Sequence, residues 1–410
     1  MNRDQMMKIL KDTDHVRRSG TEAESRAAEY LRDRCLEMGV NAVIEPFRVG
    51  MADILEAHVW ADGVEIPAKG VFLCGSGEVE GELYYMPATD PVSIAGAKGK
   101  IVLLDTLGIG YYAYQDLVEA GALGILFRCG NMYYPFDDID ERDLREHVVG
   151  GSKKLLSAML NAKTAVGLVK NGVKRIRISV RQNEYDGESH NVIAEIPGRN
   201  GKFVVLTAHY DSVALSHGAY DNMTGCIGLL GVLDALRKKE HNYGIRVIFC
   251  GSEERGLLGS KAYVRGHEPK LGDIALDVNL DMIGTYMGMF KAIVSAEERL
   301  AGYISYLGAE LGFPVSTRVG VHPSDSSPFA DKGVPAVSFE RDAGGNVAPI
   351  HCRFDTMDVV SPAQLESDIS FITEFTRRMA DSAVCPVSRD MPEKVKKDLD
   401  EYMFRKRKSL

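Results

Sequence analysis

No Cys-x-x-Cys pair occurs anywhere in the 410 residues, and the seven cysteines lie scattered from Cys35 to Cys385. That excludes a disulfide framework and a cysteine zinc ribbon, and leaves the thiols as reduced core residues. No apolar run approaches the roughly 20 residues that a membrane span needs. The opening M-N-R-D-Q-M-M-K-I-L-K-D-T-D has no apolar stretch of the kind a secretory signal carries. A basic surplus is missing too. With 49 basic against 58 acidic residues the formal charge is -9, the wrong sign for a general nucleic-acid binder. There is no fixed-period repeat and no low-complexity tract. These absences set the expectation of a soluble cytoplasmic protein with neither nucleic acid nor membrane among its partners.

What is present is an ordinary globular mixture, 45% hydrophobic and 26% charged, long enough for two to three domains. Residues 21–38 place Ala27, Ala28, Leu31, Cys35 and Leu36 at helical spacing before Gly39. From about 52 to 184, short apolar runs (Leu83–Met86, Ile101–Leu104, Ile125–Phe127, Ile176–Val180) alternate with glycine turns, and helices are expected near 113–120 and 152–161. Such spacing predicts a strand-rich unit of its own. After Pro197 the pattern becomes strand, helix, strand, helix. K-F-V-V-L-T-A at 202–208 is continuously apolar, as suits a strand buried on both faces of a parallel sheet. Helices follow at 223–239, 256–265, 299–311 and about 362–380, and strands at 245–250, 273–280 and 335–339. The fold expected is α/β, a three-layer sandwich around a mostly parallel sheet. The mixed-charge tail, ending F-R-K-R-K-S-L, is expected to be solvated and partly frayed.

Polar side chains gather where the expected strands end, the place where open α/β sheets hold ligands. T-A-H-Y-D-S (207–212), G-A-Y-D-N-M-T-G (218–225), C-G-S-E-E-R-G (250–256), N-L-D-M-I-G (279–284) and I-H-C-R-F-D-T (350–356) all lie at such positions. Singly, each has an ordinary explanation. His209 could be a satisfied core histidine, Asp221 a helix N-cap, Asp281 a turn residue and Glu253–Glu254 surface charge. Jointly, successive strand ends carrying hard and borderline ligands point to a metal site.

The ordered set H-x-D, G-A-x-D-N-x-[ST]-G, E-E, L-D-M-I-G and H-x-x-x-D-T resembles the M28 family of zinc metallopeptidases, over roughly 190–380 plus the N-terminal helix. Residues 60–180 resemble, more loosely, a protease-associated (PA) domain inserted in such enzymes, best at K-G-K-I-V-L-L-D-T (98–106) and L-V-E-A-G-A-L-G-I-L-F (117–127). The resemblance implies a catalytic domain of 1–51 and 185–385, a PA-like insert at 52–184 and a charged tail at 386–410. It assigns His209, Asp221 and Asp281 to one zinc ion and Asp221, Glu254 and His351 to a second, with Asp221 bridging. Asp211 would orient His209, Glu253 would act as general base and acid, and Asp355 is a weaker candidate for a role beside His351. A cis peptide between Asp221 and Asn222 is also implied.

The function implied is that of a dinuclear zinc exopeptidase, an aminopeptidase removing N-terminal residues from peptides through a metal-bridging water. Runners-up are a dipeptidase or carboxypeptidase-like member, a glutaminyl cyclase relative, and a non-enzymatic binding protein. Homo-oligomerisation is left open. Departures from the pattern exist. G-V-H-P-S-D-S-S-P-F (320–329) resembles a segment S-D-H-x-P-F, with Ser326 where histidine is usual. His322, four residues earlier, reads as a loop histidine without a role. Tyr220 replaces a polar residue and is given no meaning. The loop 341–349 is expected to line the substrate site, with an Arg341 contact to a substrate carboxylate as a minority reading.

Overall fold

Alternate residues of a strand face opposite ways, and the Phe203–His209 strand divides its contacts accordingly. Val204, Leu206 and Ala208 enter a large apolar core, while Val205 enters a second core on the opposite face. Thr207 and His209 share that second face and turn it polar toward the strand's end. The computed structural model that reveals this describes residues 1–134, 137–345 and 347–407.

The chain divides into two compact units, Met1–Val49 with Glu188–Leu410, and Gly50–Gly187. In the first, the sheet runs in the order Ser316–Val319, Met289–Ser295, Ala336–Asp342, Ile274–Leu280, Phe203–His209, Gly244–Cys250, and then residues 192–196. Pairing is parallel except where Met289–Ser295 meets Ala336–Asp342 and where Gly244–Cys250 meets 192–196. Residues from the helices Arg3–Asp12, Glu22–Glu37, Thr224–Leu236, Glu298–Leu311 and Pro362–Asp381 fill the larger core. Tyr263 and Val264 of Leu258–Gly266, with Phe329 of Ser326–Asp331, build the smaller one on the other face. This is the helix–sheet–helix sandwich around a mostly parallel sheet that the alternation of elements implied.

The second unit has its own core. Gly77–Met86, Lys100–Leu104, Gly124–Cys129 and Leu156–Asn161 pair in parallel, flanked by antiparallel partners at residues 175–180 and at Lys69–Gly70. Here one expectation fails. Residues 152–161 do not form a helix; Leu156–Asn161 is a strand with all six residues buried, and the helix is Ala162–Lys170. A strand covered on both faces shows no alternation, so L-L-S-A-M-L gave no period-two signal to set against a helix.

The tail also departs from expectation. Glu393–Tyr402 is a helix whose Val395 and Leu399 pack on Ala330 and Ala336, because those two apolar side chains fall four apart on one face. Residues 408–410 lie outside the described residues, as does Asn346 in the 341–349 loop. Among the described residues no helix is long and apolar enough to cross a membrane.

Candidate metal centre

Three parallel strands deliver the site. His209 is the last residue of Phe203–His209, the turn with Glu253 and Glu254 follows Gly244–Cys250, and Asp281 follows Ile274–Leu280. Parallel strands end at one edge of the sheet, so their register sets the spacing of these side chains.

Asp221 occupies a short turn, Ala219–Met223, that leads into the Thr224–Leu236 helix, with non-helical backbone angles at Asp221 and Asn222. The Asp221–Asn222 peptide is cis. Asn222 anchors the turn to the next strand end, donating from Nδ2 to the Leu280 carbonyl (2.8 Å) and accepting at Oδ1 from the amides of Gly225 and Met282 (both 3.0 Å). This approach explains Gly225. A Cβ there would lie 2.4 Å from Asn222 Oδ1 and 2.6 Å from the Leu280 oxygen, closer than any side chain allows.

The two histidines address opposite oxygens of one carboxylate. His209 Nε2 is 3.1 Å from Asp221 Oδ1, and His351 Nε2 is 3.1 Å from Asp221 Oδ2. His209 Nε2 also lies 3.7 Å from Asp281 Oδ1, and His351 Nε2 lies 3.2 Å from Glu254 Oε2. Two metal-competent groups result, His209–Asp221–Asp281 and Asp221–Glu254–His351, each with its ligand atoms within 4.8 Å of one another. All five residues assigned as ligands therefore converge, with Asp221 common to both groups.

Asp211, fully buried, lies beside the other ring nitrogen: His209 Nδ1 is 3.5 Å from Asp211 Oδ1 and 3.3 Å from its carbonyl oxygen. Its carboxylate accepts the amides of Glu253 (2.9 Å) and Glu254 (3.2 Å), tying the acidic turn to the histidine. Asp355 acts on a different partner from the one expected. Its carboxylate accepts the amides of Tyr220 (2.8 Å) and Asp221 (3.0 Å), so it supports the shared aspartate rather than His351.

Electrostatics follow from burial set against charge. Burial opposes ionisation of Asp221, but hydrogen bonds with His209 and His351 outweigh it and hold the carboxyl at about 2. Asp281 is likewise held well below the usual carboxylate range, against its burial, by His209 and His322. Glu253 moves the other way. Burial, reinforced by the charges of Glu254, Asp325 and Asp281, pushes it well above its ordinary value despite His209. It sits 4.0 Å from His209 Nε2, its side chain 12% exposed, and belongs to neither ligand group.

The donor set suits zinc, which takes imidazole nitrogen and carboxylate oxygen. A buried oxygen supports the fit: Asp281 Oδ1 has no hydrogen-bond partner although it faces the cluster. Such an atom is costly unless something of positive charge meets it.

Four residues gain a place that the sequence did not suggest. His322, read as a loop histidine without a role, is buried between Asp281 Oδ2 (3.6 Å from Nε2) and Glu340 Oε2 (3.8 Å from Nδ1). Only the sheet order, which sets Ala336–Asp342 beside Ile274–Leu280, brings those two acids together. Arg341 does not await a substrate carboxylate; its guanidinium is buried against Asp368. Arg17 is fully buried and donates to the carbonyls of Tyr210 (2.6 Å), Thr13 (2.8 Å) and Gly218 (2.8 Å), closing the loop between His209 and Asp221. Ser326, where a histidine was looked for, is buried and bonded to Ser338 Oγ (2.7 Å).

Known proteins resemble this chain in sequence and in fold. Residues 191–375 match the model of peptidase family M28. Aminopeptidase YwaD of Bacillus subtilis (strain 168) is 28% identical over 343 residues, covering 78% of this chain and 71% of that protein. A probable leucine aminopeptidase 2 of Trichophyton verrucosum (strain HKI 0517) is 31% identical over 340 residues, covering 77% and 67%. Among solved structures, the fold is similar to BSAP, a zinc aminopeptidase from Bacillus subtilis, at a TM-score of 0.77 and 21% identity over 96% of this chain and 98% of that one.

Proposed function

The chain belongs to peptidase family M28, and from that premise we propose that it is a zinc-dependent aminopeptidase whose two ions share Asp221. The observation that carries the two-ion reading is the opposed placement of His209 and His351, each 3.1 Å from a different oxygen of the Asp221 carboxylate. In this reading His209 and Asp281 complete one ligand set, and Glu254 and His351 the other. Zinc so held supplies Lewis-acid polarisation of a peptide carbonyl and makes a nearby water acidic at neutral pH.

Glu253 carries the proton. It is an acid of the cluster that belongs to neither ligand set, 4.0 Å from His209 Nε2, and a carboxylate so placed can both accept and return a proton. It takes the proton of the attacking water and delivers it to the leaving amine. Asp211 holds the Glu253 amide and faces the His209 ring, so one carboxylate positions both the base and a ligand.

The substrate class follows from the named relatives, which are aminopeptidases. Arg341, considered for a substrate carboxylate, is instead committed to Asp368. The test is a side-by-side assay of an amino-acid p-nitroanilide, a free dipeptide and an N-blocked peptide, before and after chelation. Chelator-sensitive cleavage of the anilide with no cleavage of the blocked peptide is expected; preference for the blocked peptide would overturn the aminopeptidase reading.

A further inference from the structure

We propose that Arg341 and Asp368 form a clasp that holds ligand-bearing segments of the metal centre in register, acting as positioning residues. The inference rests on the metal-ligand reading above. The pair is buried on both sides, with side chains 9% and 0% exposed. Burying two charges is unfavourable unless their hydrogen-bonding groups are used, and here they are. Arg341 donates from Nε to Asp368 Oδ2 (2.9 Å), from Nη2 to Oδ1 (2.6 Å) and from Nη1 to the Gly288 carbonyl (2.9 Å). Asp368 also accepts the Gly284 amide (2.9 Å) and Gln364 Nε2 (3.0 Å).

What these bonds connect is the argument. The Arg341 amide donates to the carbonyl of Met282 (2.7 Å), next to the ligand Asp281. The Gly284 and Gly288 bonds pin the same segment beyond Asp281. The Arg341 carbonyl accepts the hydroxyl of Tyr220, next to the shared Asp221. Arg341 is itself near the end of the Ala336–Asp342 strand, from which the chain runs on to His351. Asp368 stands on the twenty-residue helix Pro362–Asp381, packed into the core and so a rigid support. The pair and its arginine's backbone thereby meet the segments of Asp221 and Asp281, on the strand from which the chain continues to His351. It also gives Tyr220 a purpose.

A purely structural ion pair would lower stability when broken but leave ligand geometry alone. The test separates the two using Arg341→Lys, which keeps the charge but loses the planar fork, Tyr220→Phe, which removes one hydroxyl, and Arg341→Met/Asp368→Leu, which replaces both charges by apolar groups. Zinc affinity would be measured against a chromogenic chelator, with the visible spectrum of the cobalt-loaded protein reporting ligand geometry and kcat and KM recorded separately. Expected are folded proteins with zinc affinity weakened roughly 10–100-fold for the Arg341 variants, a smaller loss for Tyr220→Phe, shifted cobalt bands, and a fall in kcat exceeding any change in KM. Should Arg341→Met/Asp368→Leu not fold, Arg341→Lys and Tyr220→Phe decide. Wild-type zinc affinity and an unchanged cobalt spectrum in those folded variants would overturn the clasp while leaving zinc bound to the parent chain. A parent chain that binds no zinc overturns the metal reading itself, and the clasp with it.

Discussion

Glu253 and Glu254 are neighbours on the chain, yet the fold gives them different surroundings. Glu254 faces His351 at 3.2 Å, while Glu253 lies 4.0 Å from His209 and outside both ligand groups. Replacing Glu253 by glutamine keeps shape and polarity but removes the group proposed to carry the proton. We predict a fall in kcat of roughly 10²–10⁴-fold with two zinc ions retained, checked by steady-state kinetics beside metal analysis. Near-parental turnover would remove Glu253 from the mechanism. Asp221→Ala should behave differently, because that carboxylate faces both histidines. Both ions are expected to be lost, and with them the stabilisation that a ligand of the native state confers, seen as a lower Tm in zinc. Two ions per chain in this variant would exclude a shared ligand.

At the scale of elements, the Glu22–Glu37 helix is tied to the sheet by a buried acid. Glu24 is fully buried, accepting Ser189 Oγ at Oε1 (2.7 Å) and the Gly20 amide at Oε2 (2.6 Å). Burial, then the charge of Asp211, pushes its carboxyl up to about 8. The folded-state value thus lies above that of the unfolded chain, roughly 4.3. The folded protein holds the proton after the unfolded chain has released it, so stability is greatest below the unfolded value and is lost as pH rises through about 8. Glu24→Gln removes the charge, its Oε1 accepting the Gly20 amide and its Nε2 donating to Ser189 Oγ, which then accepts instead of donating. We predict that it removes this part of the alkaline loss: the variant gains Tm relative to the parent on going from about pH 6 to about pH 9. A parent–variant difference in Tm that stays constant across that range would contradict the assignment.

For the whole molecule, the division at Gly50–Gly187 gives each unit its own apolar core. We propose that the second unit is an insert of the PA type in a catalytic domain that continues on either side of it. All five residues proposed as ligands, Glu253, Asp211 and the Arg341–Asp368 pair belong to the first unit. Replacing 52–184 by a short linker is therefore expected to leave a folded protein that binds zinc, measured by circular dichroism and metal analysis. Aggregation with loss of metal would mean that the catalytic sheet depends on the insert.

Some of this protein is determined by short-range chemistry and can be read along the chain. Continuous apolar runs such as 202–208 specify strands buried on both faces, helix periodicity specifies the covering layers, and side chains at strand ends fall at one edge whatever the loops do. That sufficed to mark 207–212, 218–225, 250–256, 279–284 and 350–356 as segments of a metal site; the choice of His209, Asp221, Glu254, Asp281 and His351 within them came from the resemblance to the M28 family. The same rule failed at Leu156–Asn161, where full burial erased the alternation that tells strand from helix. Tertiary structure alone decided the supporting contacts. Asp368 lies 27 residues from Arg341, Asp355 lies 134 from Asp221, and Arg17 lies 201 from Gly218. Their side chains are ordinary in local context. Only closure of the sheet and docking of its helices removed water from these groups, and buried charges and amides deprived of water must find one another.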